Sequence, residues 1–150
     1  MTDRDYMALA ILEARQAAAE GEIPIGAVLV WRGIPIAADH NRREARHDPT
    51  AHAEMLVIRK AGERLENWRL TDTALYVTIE PCAMCAGAIM NARIGRLVYG
   101  SADERAGGVH SAWHITDGSL MNHRIEVASG ICEKECRALM DEFFAARRTN

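Results

Sequence analysis

Apolar residues return every three or four positions from Met7 through Ala10, Ile11, Ala14, Ala17 and Ala18, and the run stops at Gly21. That period buries one stripe of a helix, and Thr2-x-x-Asp5 ahead of it has the form of a capping box, so the spacing predicts a first helix. From Ile25 to Trp31 the chain is apolar and rich in branched residues, which predicts a buried strand. Arg32-Gly33 then makes a short turn, and Ile34 to Ala38 forms the returning strand of a hairpin. Asp39 to Asp48 reads as a polar loop. Asp48-Pro49 has the order of an N-cap and a first helical residue, which predicts a helix running to about Ala61-Gly62 with His52 and Glu54 in its first two turns. Leu75 to Ile79 is the next strand, and it leads through Glu80-Pro81-Cys82 into a small, apolar helix from Ala83 to about Asn91. Arg96 to Gly100 and Arg124 to Ala128 are short strands. The loop between them, Ser101 to Met121, has a length usually reserved for function. A closing helix from about Cys132 to Arg147 carries Cys136, Leu139, Met140 and Phe143 on its apolar side. This order of elements predicts an α/β fold: three layers, α/β/α, with a mixed sheet of about five strands opened by a hairpin.

Length and charge narrow the picture. The 150 residues suit one domain, 1–150, long enough to bury about two-thirds of the surface of the unfolded chain. The apolar runs fall short of the roughly 20 residues that cross a bilayer. The acidic start Met1-Thr2-Asp3-Arg4-Asp5 lacks the form of a signal peptide, so a cytoplasmic location without membrane contact is expected. In that compartment the four cysteines read as thiols or metal ligands rather than disulfides. A net charge of −3 makes no global case for nucleic acid. Two local basic clusters remain, Arg42, Arg43 and Arg46, then Arg147 and Arg148, and each taken alone reads as a solvated face.

The chemistry gathers at Pro81-Cys82-Ala83-Met84-Cys85 and at His52-Ala53-Glu54. Two thiols three residues apart at a helix start project to one side, and a histidine completes a set of three ligands, which leaves one position open on a tetrahedral zinc. Water bound at such a position falls in pKa from about 15.7 to about 7. Glu54, two residues from His52, is then placed to take that proton without binding the metal. A C-x-x-C pair alone also suits redox chemistry, and a lone histidine is more often a packed side chain; the two half-motifs together favour zinc over either. Both cysteines are expected to gain from the helix N-terminus on the way to thiolate. For the two ligand-bearing helices to converge, the strands that deliver them are expected to be neighbours. His110 and His114 lie four apart, but Gly107-Gly108 and Gly118 argue against a helix that would align them. Cys132 and Cys136 share a helical face and read as core.

H-x-E followed by P-C-x-x-C is the arrangement of zinc-dependent nucleobase deaminases. Beyond it, His47-Asp48-Pro49-Thr50-Ala51-His52-Ala53-Glu54, the stretch from Tyr76 to Ala88, and Met121-Asn122-His123-Arg124 resemble the bacterial tRNA-specific adenosine deaminase family nearly from end to end. The resemblance implies a cytidine deaminase-like fold and conversion of adenosine to inosine at the wobble position of a tRNA anticodon. It also implies a homodimer with one zinc per subunit, held by His52, Cys82 and Cys85, with Glu54 as proton shuttle. It assigns Asn41, Ala51, Asn122, Phe144 and Arg147 to contact with the anticodon stem-loop. Ser101-Ala102, the run from Arg105 to His110, and Arg43 depart from what is usual in the family and bear on substrate preference. Two rivals keep the zinc residues: a deaminase of free guanine, cytosine or cytidine, and a zinc-containing partner subunit without activity. The second needs a lost shuttle, and Glu54 is present.

Overall fold

In the computed structural model, which describes residues 1–118 and 122–148, the first helix, α1, spans Asp3–Ala19. It opens on the capping box its sequence predicts. The Thr2 hydroxyl accepts the Asp5 amide at 3.3 Å, and the Asp5 carboxylate accepts the Thr2 amide at 2.7 Å. Strands β1 (Gly26–Trp31) and β2 (Ile34–His40) follow as an antiparallel hairpin. Next come a single-turn helix α2 (Arg43–Arg46), α3 (Ala53–Leu65), β3 (Thr73–Ile79) and α4 (Ala83–Asn91). The chain ends with β4 (Arg96–Ser101), a 3-10 turn at Ile115–Asp117, β5 (Glu126–Ser129) and α5 (Glu133–Arg148). The strand order is β2-β1-β3-β4-β5, with β1 antiparallel to both its neighbours and β3, β4 and β5 parallel.

Period-two alternation splits the strands between two cores. Ala27, Leu29, Leu75, Val77, Leu97 and Tyr99 face α3 and α4, where Ala53, Val57, Ala61, Ala86 and Ile89 are buried. Val28, Val30, Tyr76 and Val98 face the other way, onto Met7, Ala10 and Ile11 of α1 and Cys136 of α5. The result is the three-layer α/β/α arrangement with a mixed five-stranded sheet. Among the described residues no helix is long and apolar enough to cross a membrane.

The structure corrects four local expectations. Asp39 and His40 belong to β2, and the supposed loop after them contains α2. The helix expected at Asp48-Pro49 starts instead at Ala53, because Asp48 spends its carboxylate on the amide and hydroxyl of Thr50, both at 2.8 Å, in a local turn. It also runs past Gly62 and ends at Leu65, where Glu66 takes the left-handed conformation. The strands feeding α3 and α4 are not neighbours: β1 lies between β2 and β3, and the helices meet because both cover the same face. Met121 lies outside the described residues.

A buried polar clamp joins α1 to the end of β2. His40 has no exposed surface, and its ring nitrogens lie 2.8 Å from Glu13 of α1 and 2.7 Å from Glu20, the residue that caps its C-terminus. Asp39 beside it meets Arg42 at 2.7 Å and Lys60 of α3 at 2.8 Å. Burial opposes the charge on Asp39, yet the two cations and the His40 amide hold its carboxyl below the usual range. Glu13, Asp39 and His40 also lie close enough together to hold a metal, but the cations Arg42 and Lys60 already serve Asp39.

Packing of α1 on the sheet depends on a missing side chain. A Cβ at Gly26 would run into the Ala10 carbonyl oxygen and the Ala14 amide nitrogen, backbone atoms that cannot swing aside. Gly26→Ala should therefore destabilise the fold by about 3 kcal/mol or more, lowering Tm by roughly 6–12 °C for a chain of this size; thermal unfolding followed by circular dichroism measures it.

Candidate active site

Helices α3 and α4 begin side by side, and the residue just before each one is a ligand candidate. His52 occupies the N-cap of α3 with φ −76° and ψ 151°; Cys82 occupies the N-cap of α4 with φ −72° and ψ 177°. The His52 side chain makes no hydrogen bond to its own helix, while the Cys82 sulfur is met both by Cys85 of α4 and by His52. Cys85, one turn into α4, is fully buried. His52 Nδ1 lies 3.7 Å from Cys82 Sγ and 3.5 Å from Cys85 Sγ. A tetrahedral zinc with Zn–S near 2.3 Å and Zn–N near 2.0–2.1 Å requires about 3.6 Å between sulfur and nitrogen. The three residues thus fit the metal by distance as well as by type, and their ligand atoms all lie within 4.8 Å of one another.

Electrostatics at this point favour a cation. A hydrogen bond from Cys85, with another from His52, draws the Cys82 thiol down to about 3, so that sulfur is a thiolate. The bond to Cys82 raises the affinity of His52 for its proton. Cys85, bonded to the Cys82 sulfur and deeply buried, is pushed upward. Two thiolates cannot sit side by side in a dry site without a cation, and a bound metal would displace the protons of Cys85 and His52. Glu54, the second residue of α3, is only 3% exposed, and burial lifts its carboxyl to about 7. A group that is half protonated near neutrality is suited both to take and to give a proton.

Two of these residues open onto a cavity of about 690 Å³, in the range of small-molecule sites. His52 and Glu54 line it, with Asn41 and Arg43 from the segment after β2, Ser101 at the end of β4 and Ala102 to Ala106 beyond it, and Phe144 from α5. Of the positions assigned to substrate, Asn41 and Phe144 are therefore at the cavity. Ala51 is fully buried and its carbonyl accepts the Arg42 amide, so it shapes the approach to α3 without forming a wall. Arg147 lies at a smaller adjoining cleft, where its guanidinium donates to the Gly21 carbonyl and stacks 4.3 Å over Phe143. Asn122 is exposed and is not among the cavity residues.

The deaminase family described as MafB19-like matches residues 1–148. A tRNA-specific adenosine deaminase of Bacillus subtilis is 45% identical over 146 residues, which cover 97% of this chain and 91% of the relative. This chain belongs to the tRNA-specific adenosine deaminase family. A solved structure from studies of A-to-I editing by tRNA:A34 deaminases at the wobble position of transfer RNA is 47% identical and superposes with a TM-score of 0.87, covering 90% of this chain and 98% of the other. A guanine deaminase from Bacillus subtilis is 39% identical with a TM-score of 0.66, over 68% of this chain and 66% of that one.

In this deaminase, three groups of consequence escaped the sequence reading. Glu22, 2% exposed, accepts the amides of Glu44 and Ala45 and so caps α2 from a distance. Arg137 and Asp141 of α5 reach the cavity. Nothing local marks them, because their partners lie tens of residues away. Glu80 did carry a signal, a charged residue closing an otherwise apolar strand. Zinc titrated into metal-free protein should raise Tm by roughly 8–16 °C at a thousandfold excess over Kd. His52→Ala and Cys82→Ala should each abolish that rise and the bound metal, read by elemental analysis; full metal content in either would overturn the ligand set.

Proposed function

We propose that this deaminase converts adenosine to inosine at the wobble position of a tRNA anticodon, as a single-domain subunit of a cytoplasmic homodimer with one zinc per subunit. The observation that carries the reading is the His52, Cys82 and Cys85 trio, with His52 and buried Glu54 lining a cavity of small-molecule size. Held by those three residues, zinc would supply a Lewis acid and an activated water. Glu54 then moves protons: its carboxylate takes one from the attacking water and delivers it to the departing amino group, so that water replaces ammonia at C6 of adenine. Asn41 accepts the Arg43 amide through its side-chain oxygen at 3.1 Å, which leaves its amino group as a donor for a ligand. An anticodon loop supports this chemistry because a loop nucleotide is cheaply drawn out of its stack, as a base must be to reach such a site.

The basic clusters divide under this reading. Arg42 is committed to Asp39 and Arg147 to Gly21 and Phe143, whereas Arg43 lines the cavity. Arg43→Ala should flatten the dependence of log Kd on log salt for a stem-loop by about 0.7 to 1, the contribution of one phosphate, with a smaller change from Arg147→Ala. An unchanged slope would return Arg43 to a role outside phosphate binding.

The reaction itself is tested with zinc-quantified protein incubated with an anticodon stem-loop bearing wobble adenosine and, separately, with adenine, adenosine, cytidine, cytosine and guanine. Inosine in the stem-loop alone is the expected product by mass. Turnover of guanine with the stem-loop untouched would favour the second reading, a free-base deaminase, to which the guanine deaminase likeness lends support. Glu54→Ala should keep its zinc and lose at least about 10²-fold in turnover; loss of the metal instead would make Glu54 a part of the metal site.

A further inference from the structure

The first half of the loop after β4 is gathered onto one carboxylate. Glu80 closes β3, two residues before the first thiol, and is 3% exposed. Its Oε1 accepts the Asp103 amide at 3.1 Å and the Ser111 hydroxyl at 2.5 Å. Its Oε2 accepts the amides of Val109, His110 and Ser111 at 3.1, 2.8 and 3.0 Å. Gly107 lies flat against the same group, and a Cβ there would collide with the carboxylate. The turn between these anchors is closed by Asp103, whose carbonyl accepts the Gly107 amide and whose carboxylate accepts those of Arg105 and Ala106. Glu80 does not line the cavity, but Ser101 to Ala106, the stretch it fastens, does.

We propose that Glu80 is a positioning residue for substrate: by collecting five donors from the loop, it holds Ser101 to Ala106 as a preformed wall of the cavity. This rests on the reading of the cavity as the substrate site. The physical case is preorganisation. A loop without internal secondary structure would otherwise be ordered at the expense of binding, and apparent affinity falls in proportion to the fraction of molecules with the wall formed. A buried carboxylate is suited to the task because one charged acceptor satisfies several backbone donors that strands and helices leave unpaired. The wall acts on binding, not on the proton transfer at Glu54, so its loss separates KM from kcat.

Two substitutions reach the contact from opposite sides. Glu80→Gln removes the charge and turns one acceptor into a donor facing the loop; Gly107→Ala leaves Glu80 intact and forces the loop off it. Each variant, with zinc content measured, is compared with the parent in steady-state deamination and in hydrogen exchange. The expected result is faster exchange at the amides of Asp103, Val109, His110 and Ser111 with α4 unchanged, KM raised tenfold or more, kcat within threefold and zinc retained. Wild-type KM despite a loosened loop would overturn the proposal. So would a parallel loss of kcat and zinc in Glu80→Gln, which would make the residue a support for the ligands alone. Should Glu80→Gln fail to fold, Gly107→Ala decides by the same readings. If the parent turns over a free base and not the stem-loop, the RNA reading has failed, and the same KM and kcat comparison on that base still decides the role of Glu80.

Discussion

Two helices that begin at the same place, with N-cap side chains that meet each other between them, set the terms for the rest of this molecule. An N-cap ordinarily contributes on the order of 1 kcal/mol by accepting a backbone N–H of the first turn. His52 forgoes that contribution, and its ring faces the sulfurs of Cys82 and Cys85. The hydrogen bonds from Cys85 and His52 then lower the Cys82 thiol. Burial of Cys85 and Glu54 belongs to the same bargain. It keeps the site dry enough for charges to matter, and it moves Glu54 into the range where a carboxyl works as both acid and base.

Around that point the fold uses buried polar contacts to aim the walls of the cavity. His40, held between Glu13 and Glu20, fixes the end of β2, and the next residue is Asn41. Glu22 caps α2 and so fixes the segment that begins with Arg43. On the other flank Glu80 takes up the loop after β4. Each of these is a carboxylate or imidazole with little exposed surface, satisfied by backbone amides or by carboxylate oxygens, as burial in a low dielectric demands.

What the sequence by itself determined is what neighbouring residues decide among themselves. The capping box of α1, the bounds of α4 and the hairpin at Arg32-Gly33 depend on contacts within a few positions. That His52, Cys82 and Cys85 come together could be anticipated because metal chemistry restricts both residue type and spacing, and the folded chain brings their side chains within 4.8 Å of one another. Failure began where a side chain had two local uses. Asp48 has the look of an N-cap, and only the folded chain shows it engaged by Thr50 while His52 takes the position before the helix. Gly62 could end a helix or lie within one, and packing of α3 on the sheet chose the second. The tertiary structure alone decided that β1 separates β2 from β3, that Arg42 and Arg147 are committed, and that Arg137, Asp141 and the loop held by Glu80 reach the cavity or shape it. Those outcomes depend on pairings across tens of residues, whose energies exist only once the sheet has brought the partners within a few ångströms.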